Sequence, residues 1–307
     1  MIQVTIQQLK YLIEVVNTGS INEAAKNLFI SQPTLSKAIK TLETEMGIVI
    51  FTRTSTGIVL SSDGAEFMSY ARQVVEQVNL MEHRYLDSPY QERLLSVSTQ
   101  HYSFSVDAMV KMIDQYGGDK YQFTLRETKT FEIIDDVKNL TSEVGVLYMN
   151  SFNEQVLSQL IKENHLEFEP LFSANPHVFI SRDNPLANKE TVTIEDLMPY
   201  PRLSFEQGKN NSFYFSEEIL RTLDVPKNIL VSDRATLFNC LIGLNGYTIS
   251  TGILSEELNG TDIIPVRLDV EDRITVGTLT NKKAQLSRMA KLYLEELEKC
   301  IELYEIL

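Results

Sequence analysis

The segment Ser31–Lys40, SQPTLSKAIK, gathers side chains suited to recognition chemistry and contains no carboxylate. Gln32, Thr34 and Ser36 carry hydrogen-bonding groups on short stems, and Lys37 and Lys40 carry positive charge. At 100° per residue, Leu35, Ala38, Ile39 and Leu42 fall on one stripe of a helix. Pro33, Ser36, Lys37 and Lys40 fall on the opposite stripe, with Gln32 and Thr34 at the first turn. Small polar residues let a backbone sink into a DNA major groove, Gln and Ser pair with base edges, and lysines neutralise phosphates. The competing reading is an ordinary surface helix, which usually mixes charges on its solvated face. Here Glu43 and Glu45 come only after the basic group.

Three helices with explicit start signals position this face. Thr5–Gln8 and Ser20–Glu23 both fit the capping-box pattern. The first helix is expected to bury Ile6, Leu9, Leu12, Ile13 and Val16, and it ends at Gly19. The second, Ser20 to Leu28, presents Ala24 and Ala25 for close approach of a neighbour. A short break at Phe29-Ile30 leads to Ser31, an N-cap for a third helix running to about Glu45. Two β-rich runs follow, Ile48–Phe51 and Ile58–Leu60, around a Gly-containing turn, which reads as a hairpin. Arg53 on it would reach DNA backbone or minor groove, or serve as a plain surface residue.

The net charge of −14 runs against a DNA partner at first sight. Residues 1–60 hold five basic and four acidic side chains, a balance of +1, so the remainder carries −15. The acidity is segregated into the part of the chain it would keep off DNA.

The stretch GSINEAAKNLFISQPTLSKAIKTLETEMGIVIFTRTSTGIVLSSDG closely resembles the signature of LysR-type transcriptional regulators. It has the small-residue second helix, Ser-Gln-Pro then Ser and a basic residue, Leu-Glu with a glycine following, and an Arg-bearing wing. The resemblance implies a winged helix-turn-helix whose Gln32, Pro33, Thr34, Ser36 and Lys37 face the major groove, with Arg53 supporting wing contacts. Lys37 stands where arginine is more usual, which keeps the charge but loses the bidentate fork.

Residues 63–88 read as one helix about 39 Å long at 1.5 Å per residue. Phe67, Ala71, Val74, Val78, Met81 and Tyr85 recur in steps of four and three, a heptad seam. Such a seam packs against its own domain or against a second copy. The second fits a pair of recognition helices reading a two-fold symmetric site. A tetramer is implied by the resemblance alone.

Beyond Pro89, strands and helices alternate, as expected of a mostly parallel sheet with helices on both faces. Strands are expected at 94–99, 121–127, 144–148, 167–172, 177–180, 202–205, 229–231, 247–250, 263–268 and 275–280. Helices are expected at 104–116, 131–140, 194–197, 213–223, 235–244 and 286–304. EPLFS…HVFISRDNPLA, TLFNCLIGLNGYTIS and IIPVRLD also resemble the family, more loosely. They imply a bilobed, periplasmic-binding-protein-like effector domain with a small polar molecule between its lobes. The fold class is thus α+β, with a DNA-binding domain at 1–62, a linker helix at 63–89 and an effector domain at 90–307. Its lobe I is 90–165 with 269–307, its lobe II is 166–268, and crossings fall near Leu166–Pro170 and Ile264–Leu268. Candidate effector contacts are Gln100, His101, Tyr102, Ser103, Thr128, Thr130, Ser204, Phe205 and Thr248, at strand ends and helix starts where free N–H groups favour anions. Taken singly, Ser103, Thr128 and Thr130 read equally as caps and turn residues.

The sequence carries no nucleophile elbow, P-loop, GxGxxG or paired-carboxylate spacing, so no enzyme and no cofactor is expected. Cys240 and Cys300 stand far apart in apolar helical segments, and no metal-ligand spacing is present. They read as buried thiols or, alternatively, as a redox control. A third reading confines the C-terminal domain to assembly. No apolar run reaches the roughly 20 residues of a spanning helix and no signal peptide is evident, so a cytoplasmic protein without a membrane partner is expected.

Overall fold

A computed structural model describes residues 4–54, 57–82 and 93–304, in two compact units dividing between Gln91 and Glu92. In the first unit, α1 (Ile6–Thr18), α2 (Ile21–Asn27) and α3 (Gln32–Met46) precede a hairpin of β1 (Phe51–Thr54) and β2 (Gly57–Leu60), and α4 (Ser62–Glu82) follows. The capping box at Thr5 and Gln8 forms with both its bonds, and Ser20 accepts from the Glu23 N–H. Gly19 and Gly47 end α1 and α3 in the left-handed conformation. Leu9, Leu12, Val15, Ala24, Ala25, Leu35, Ile39, Leu42 and Ile50 form one core. Each fully enclosed leucine there contributes about 2 kcal/mol.

The first strand begins later than the apolar pattern predicts, at Phe51 rather than Ile48. Glu43 explains the shift: its Oε1 accepts the N–H groups of Ile50 and Phe51, at 2.8 and 3.2 Å. That ties the segment to α3 before pairing starts. Gly64 closes the same corner, because a Cβ there would stand 2.2 Å from the Ile50 carbonyl oxygen.

The heptad seam on α4 is divided by the packing. Met68, Ala71 and Val75 are buried in the unit's own core, with Phe67 packed partly against it. Ala71 is therefore an internal contact of this unit. Val74 and Met81 are exposed and Val78 is half-buried. At 100° per residue Val74 lies about 60° to one side of Ala71 and Val75 about 40° to the other, so the apolar arc is wider than one seam. Tyr85 lies outside the described residues.

The second unit has two sheets. The first runs β4-β3-β5-β13-β6, built from β3 (Arg93–Thr99), β4 (Tyr121–Glu127), β5 (Val144–Met149), β6 (Leu166–Ala174) and β13 (Ile274–Asn281). Its helices are α5 (Ser103–Tyr116), α6 (Thr130–Lys138), α7 (Glu154–Glu163) and α11 (Arg288–Glu302). The second runs β10-β9-β11-β7-β12-β8. Its strands are β7 (His177–Ser181), β8 (Thr191–Val192), β9 (Arg202–Phe205), β10 (Asn228–Val231), β11 (Tyr247–Ser250) and β12 (Ile263–Leu268). Its helices are α8 (Ile194–Leu197), α9 (Arg234–Leu244) and α10 (Glu256–Asn259).

Several expectations change: both sheets are mixed rather than mostly parallel, because β13 and β7 run antiparallel to their neighbours, and α7 was not foreseen. The lobe boundary moves from residue 166 to the stretch after Ala174, because all of β6 pairs antiparallel with β13 in the first sheet. The crossings are thus Asn175–Pro176 and 269–273. The helix expected at 213–223 is only a 3-10 turn at Phe213–Phe215, followed by irregular chain. Arg202 holds that chain, donating to the carbonyls of Leu220 and Leu223 at 3.1 and 3.2 Å.

Candidate functional site

In the first unit, Gln32, Pro33, Thr34, Lys37 and Lys40 are exposed and Ser36 is half-buried, while Leu35, Ile39 and Leu42 point inward. Ser31 caps α3, accepting from the Thr34 N–H and bonding its hydroxyl at 2.7 Å. Gln32 Nε2 donates to Ser36 Oγ at 2.7 Å, which braces both polar groups side by side on the outer face. Among the described residues neither Lys37 nor Lys40 has an ion-pair partner. Arg53 lies on β1, paired with Ile58, and its side chain is outside the described part. A polar, positive, unpaired helix face beside a hairpin is suited to phosphate and base edges.

In the second unit a cleft open to solvent lies between the sheets, its outline enclosing about 480 Å³ of non-atom space with the solvent at its mouth included. Five of the expected contacts line it: His101, Tyr102, Ser103, Phe205 and Thr248. The other four do not. Gln100 is fully buried and acts as a bracket inside the first lobe. It donates to Thr130 Oγ1 at 2.6 Å and accepts from Tyr102 Oη and from the Tyr148 N–H. Thr130 is buried against it. Thr128, in the loop before α6, donates to Glu132 on that helix, and Ser204 is buried with no partner for its hydroxyl among the described residues.

Helices α5 and α6 start without side-chain caps of their own. The second lobe supplies acceptors instead: Glu217 Oε2 takes the His101 N–H at 3.1 Å and Gln207 Oε1 takes the Thr130 N–H at 3.2 Å. The His101 N–H, just ahead of α5, and the Thr130 N–H at the first position of α6 are therefore already bonded. His101 also stacks on Phe205, ring centroids 3.8 Å apart, and its Nδ1 lies 2.8 Å from Glu217 Oε2. Burial alone would lower the His101 pKa, but the Glu217 bond and the charges of Glu217, Glu127 and Glu218 outweigh it and raise it. Lys129–Glu206 at 2.8 Å and Arg234–Glu127 at 3.2 Å also cross between the lobes.

Sequence reading missed Glu217, Glu218 and Arg234. Glu218 is buried, and burial together with the Glu217 charge pushes its pKa up to about 8. The only local signal was a Glu pair in an otherwise apolar run, FYFSEEIL, which reads equally as a solvated helix turn. Cys300 is buried, with Asp107 and Lys111 each 3.7 Å from its sulfur. Burial and the Asp107 charge push its thiol up to about 11. Cys240 is half-buried on α9. Among the described residues no cluster of metal-ligating side chains occurs, and no helix is long and apolar enough to cross a membrane.

A helix-turn-helix with a hairpin, joined to a two-lobed α/β domain around a polar cleft, defines a DNA-binding regulator of the ligand-responsive kind. The sequence profile of the bacterial regulatory helix-turn-helix proteins of the lysR family matches residues 6–65, and that of the LysR substrate binding domain matches residues 94–300. The chain belongs to the lysR family of regulators. Similar proteins include an uncharacterized HTH-type transcriptional regulator, YnfL, from Escherichia coli K12, 26% identical over 69% of each chain. A hydrogen peroxide-inducible genes activator from Dickeya chrysanthemi is 25% identical over 66% of this chain and 64% of its own. Of solved structures, full-length CbnR with its target DNA covers 97% of this chain and 100% of its own, with TM-score 0.54 and 17% identity. A Corynebacterium glutamicum OxyR C206 mutant covers 97% and 92%, with TM-score 0.53 and 16% identity. At these identities the structural likeness defines the fold.

Proposed function

We propose that this regulator reads a specific duplex site through Gln32, Pro33, Thr34, Ser36, Lys37 and Lys40, with Arg53 assisting from the hairpin. A small effector in the interlobe cleft modulates DNA occupancy. The observation that carries the reading is the α3 face, where Gln32 and Ser36 are braced and two lysines stand unpaired among the described residues. Self-association through Val74, Val78 and Met81 would pair two such faces, as a two-fold symmetric site requires. A tetramer, action in the cytoplasm and a role without catalysis complete the proposal.

Footprinting DNA upstream of the protein's own gene, with and without cell extract, tests both halves. A protected site whose occupancy changes with the extract is expected. Lys37→Ala should weaken binding at every sequence and lower the salt slope by about one unit. Unchanged affinity and slope would refute the α3 assignment.

Likeness to hydrogen peroxide-inducible activators raises a second reading, control by thiol oxidation. Burial and the high pKa of Cys300 speak against that thiol, since the thiolate is the reactive form.

A further inference from the structure

Glu217 takes the His101 N–H just ahead of α5 and Gln207 takes the Thr130 N–H that opens α6, so these two donors are committed to the protein's own side chains. What is left over is a different pair of groups. Glu218 lines the cleft at 4% exposure; its Oε1 accepts the Phe205 N–H at 2.8 Å, and its Oε2 is buried with no partner among the described residues. Arg234 also lines the cleft, with Nη2 facing Glu127 and Nη1 buried without a hydrogen-bond partner among the described residues. Buried polar atoms are costly to leave unmet, so such atoms in a cleft wall point to the groups that would meet them. Phe179, Leu237, Phe238, Ile253 and Leu254 supply an apolar wall beside them.

We propose that the cleft takes a small zwitterion with an apolar side chain, of the α-amino-acid class, its ammonium on Glu218 and its carboxylate on Arg234. This rests on the cleft being the effector site. A simple carboxylic acid could pair with Arg234 but would leave the buried Glu218 Oε2 unmet. A simple amine would leave the Arg234 N–H unmet.

The proposal carries a proton signature. Glu218 is surrounded by Glu217 and Arg221 on its own segment, Arg202 on β9, His101 and Tyr102 before α5, Tyr148 on β5 and Arg234 on α9. With its pKa near 8, the free carboxyl is mostly protonated at neutral pH. An ammonium beside it favours the carboxylate, so binding should release on the order of one proton at pH 7.

The test is titration calorimetry of the full chain at pH 7, in two buffers of different ionisation enthalpy. The probes are the common L-amino acids and, for each apolar one, the amine lacking its carboxylate and the acid lacking its amine. At least one apolar amino acid should bind with proton release, and its amine and acid should bind at least about tenfold more weakly. Glu218→Gln, which keeps an acceptor for the Phe205 N–H, should abolish the proton release and weaken binding roughly ten- to a hundredfold. Arg234→Met should weaken the amino acid while leaving the amine unaffected, an independent check should Glu218→Gln fold poorly. Equal binding of the acids, no binding by any probe, or binding indifferent to both substitutions would overturn the proposal. A footprint that responds to extract while no probe binds would sink the zwitterion alone, whereas silence in both would sink the effector reading with it.

Discussion

Replacing Glu217 by Gln removes one charge from the centre of the interlobe contacts while keeping the size and one acceptor. Glu217 accepts from the His101 N–H at 3.1 Å, pairs with His101 Nδ1 at 2.8 Å and accepts from Gln207 Nε2 at 3.1 Å. Each bond to a charged partner contributes about 1 kcal/mol more than its neutral counterpart, so the substitution should cost about 3 kcal/mol. For a unit of this size that is a fall of roughly 6–12 °C in Tm. The pH matters, because Glu217 also raises the pKa of Glu218. At pH 6 Glu218 is neutral and the loss of the His101 pair is felt in full. Near pH 8.5 Glu218 is largely ionised, and removing its charged neighbour returns part of the loss. His101 works in the same sense. Its folded pKa lies above the unfolded value, so the stability it contributes is fully present below about pH 6.5 and is lost as pH rises through the folded value. The cost of Glu217→Gln, measured by scanning calorimetry on the C-terminal transition, should therefore be larger at pH 6 than at pH 8.5. No cost at pH 6, or a cost that does not shrink with pH, would refute the electrostatic account of this contact.

Three further outcomes are expected. Val74→Glu with Val78→Glu should dissociate the oligomer with α4 still helical, whereas Ala71→Glu should unfold the first unit, and light scattering beside circular dichroism separates the two. Phe29 sits between α2 and α3 with φ 54° and 95% of its surface exposed, so Phe29→Asn should stabilise the first unit by about 1 kcal/mol by relieving left-handed strain; an unchanged or lower Tm would count against that. Cys300→Ser should leave any response to peroxide intact, and its loss, read by footprinting with oxidant, would restore the redox reading.

The helices of the first unit were legible because their signals are local. Thr5, Ser20 and Ser31 accept from backbone N–H groups three residues on, and the Leu35–Ile39–Leu42 stripe needs only the helical repeat. The outer face of α3 follows directly from that inner stripe. The same periodicity was blind to partners, so a heptad over 67–81 did not distinguish Ala71, used inside the unit, from Val74 and Met81, left outside.

In the second unit the alternation of strands and helices was readable, but membership of a sheet was not. An apolar strand such as β6 satisfies its own pattern in either lobe, and only the ladder to β13 assigns it to the first. The cleft was half legible for the same reason. His101, Ser103, Phe205 and Thr248 stand at strand ends and helix starts, positions the fold class marks in advance. Glu217 and Arg234 acquire their chemistry from partners more than a hundred residues away, as His101 is from Glu217, and Glu218 acquires its from burial. A carboxylate on a solvated turn and one sealed between two lobes are the same letters. The difference in solvation that separates them, and lifts one pKa to about 8, exists only after the chain has closed around them.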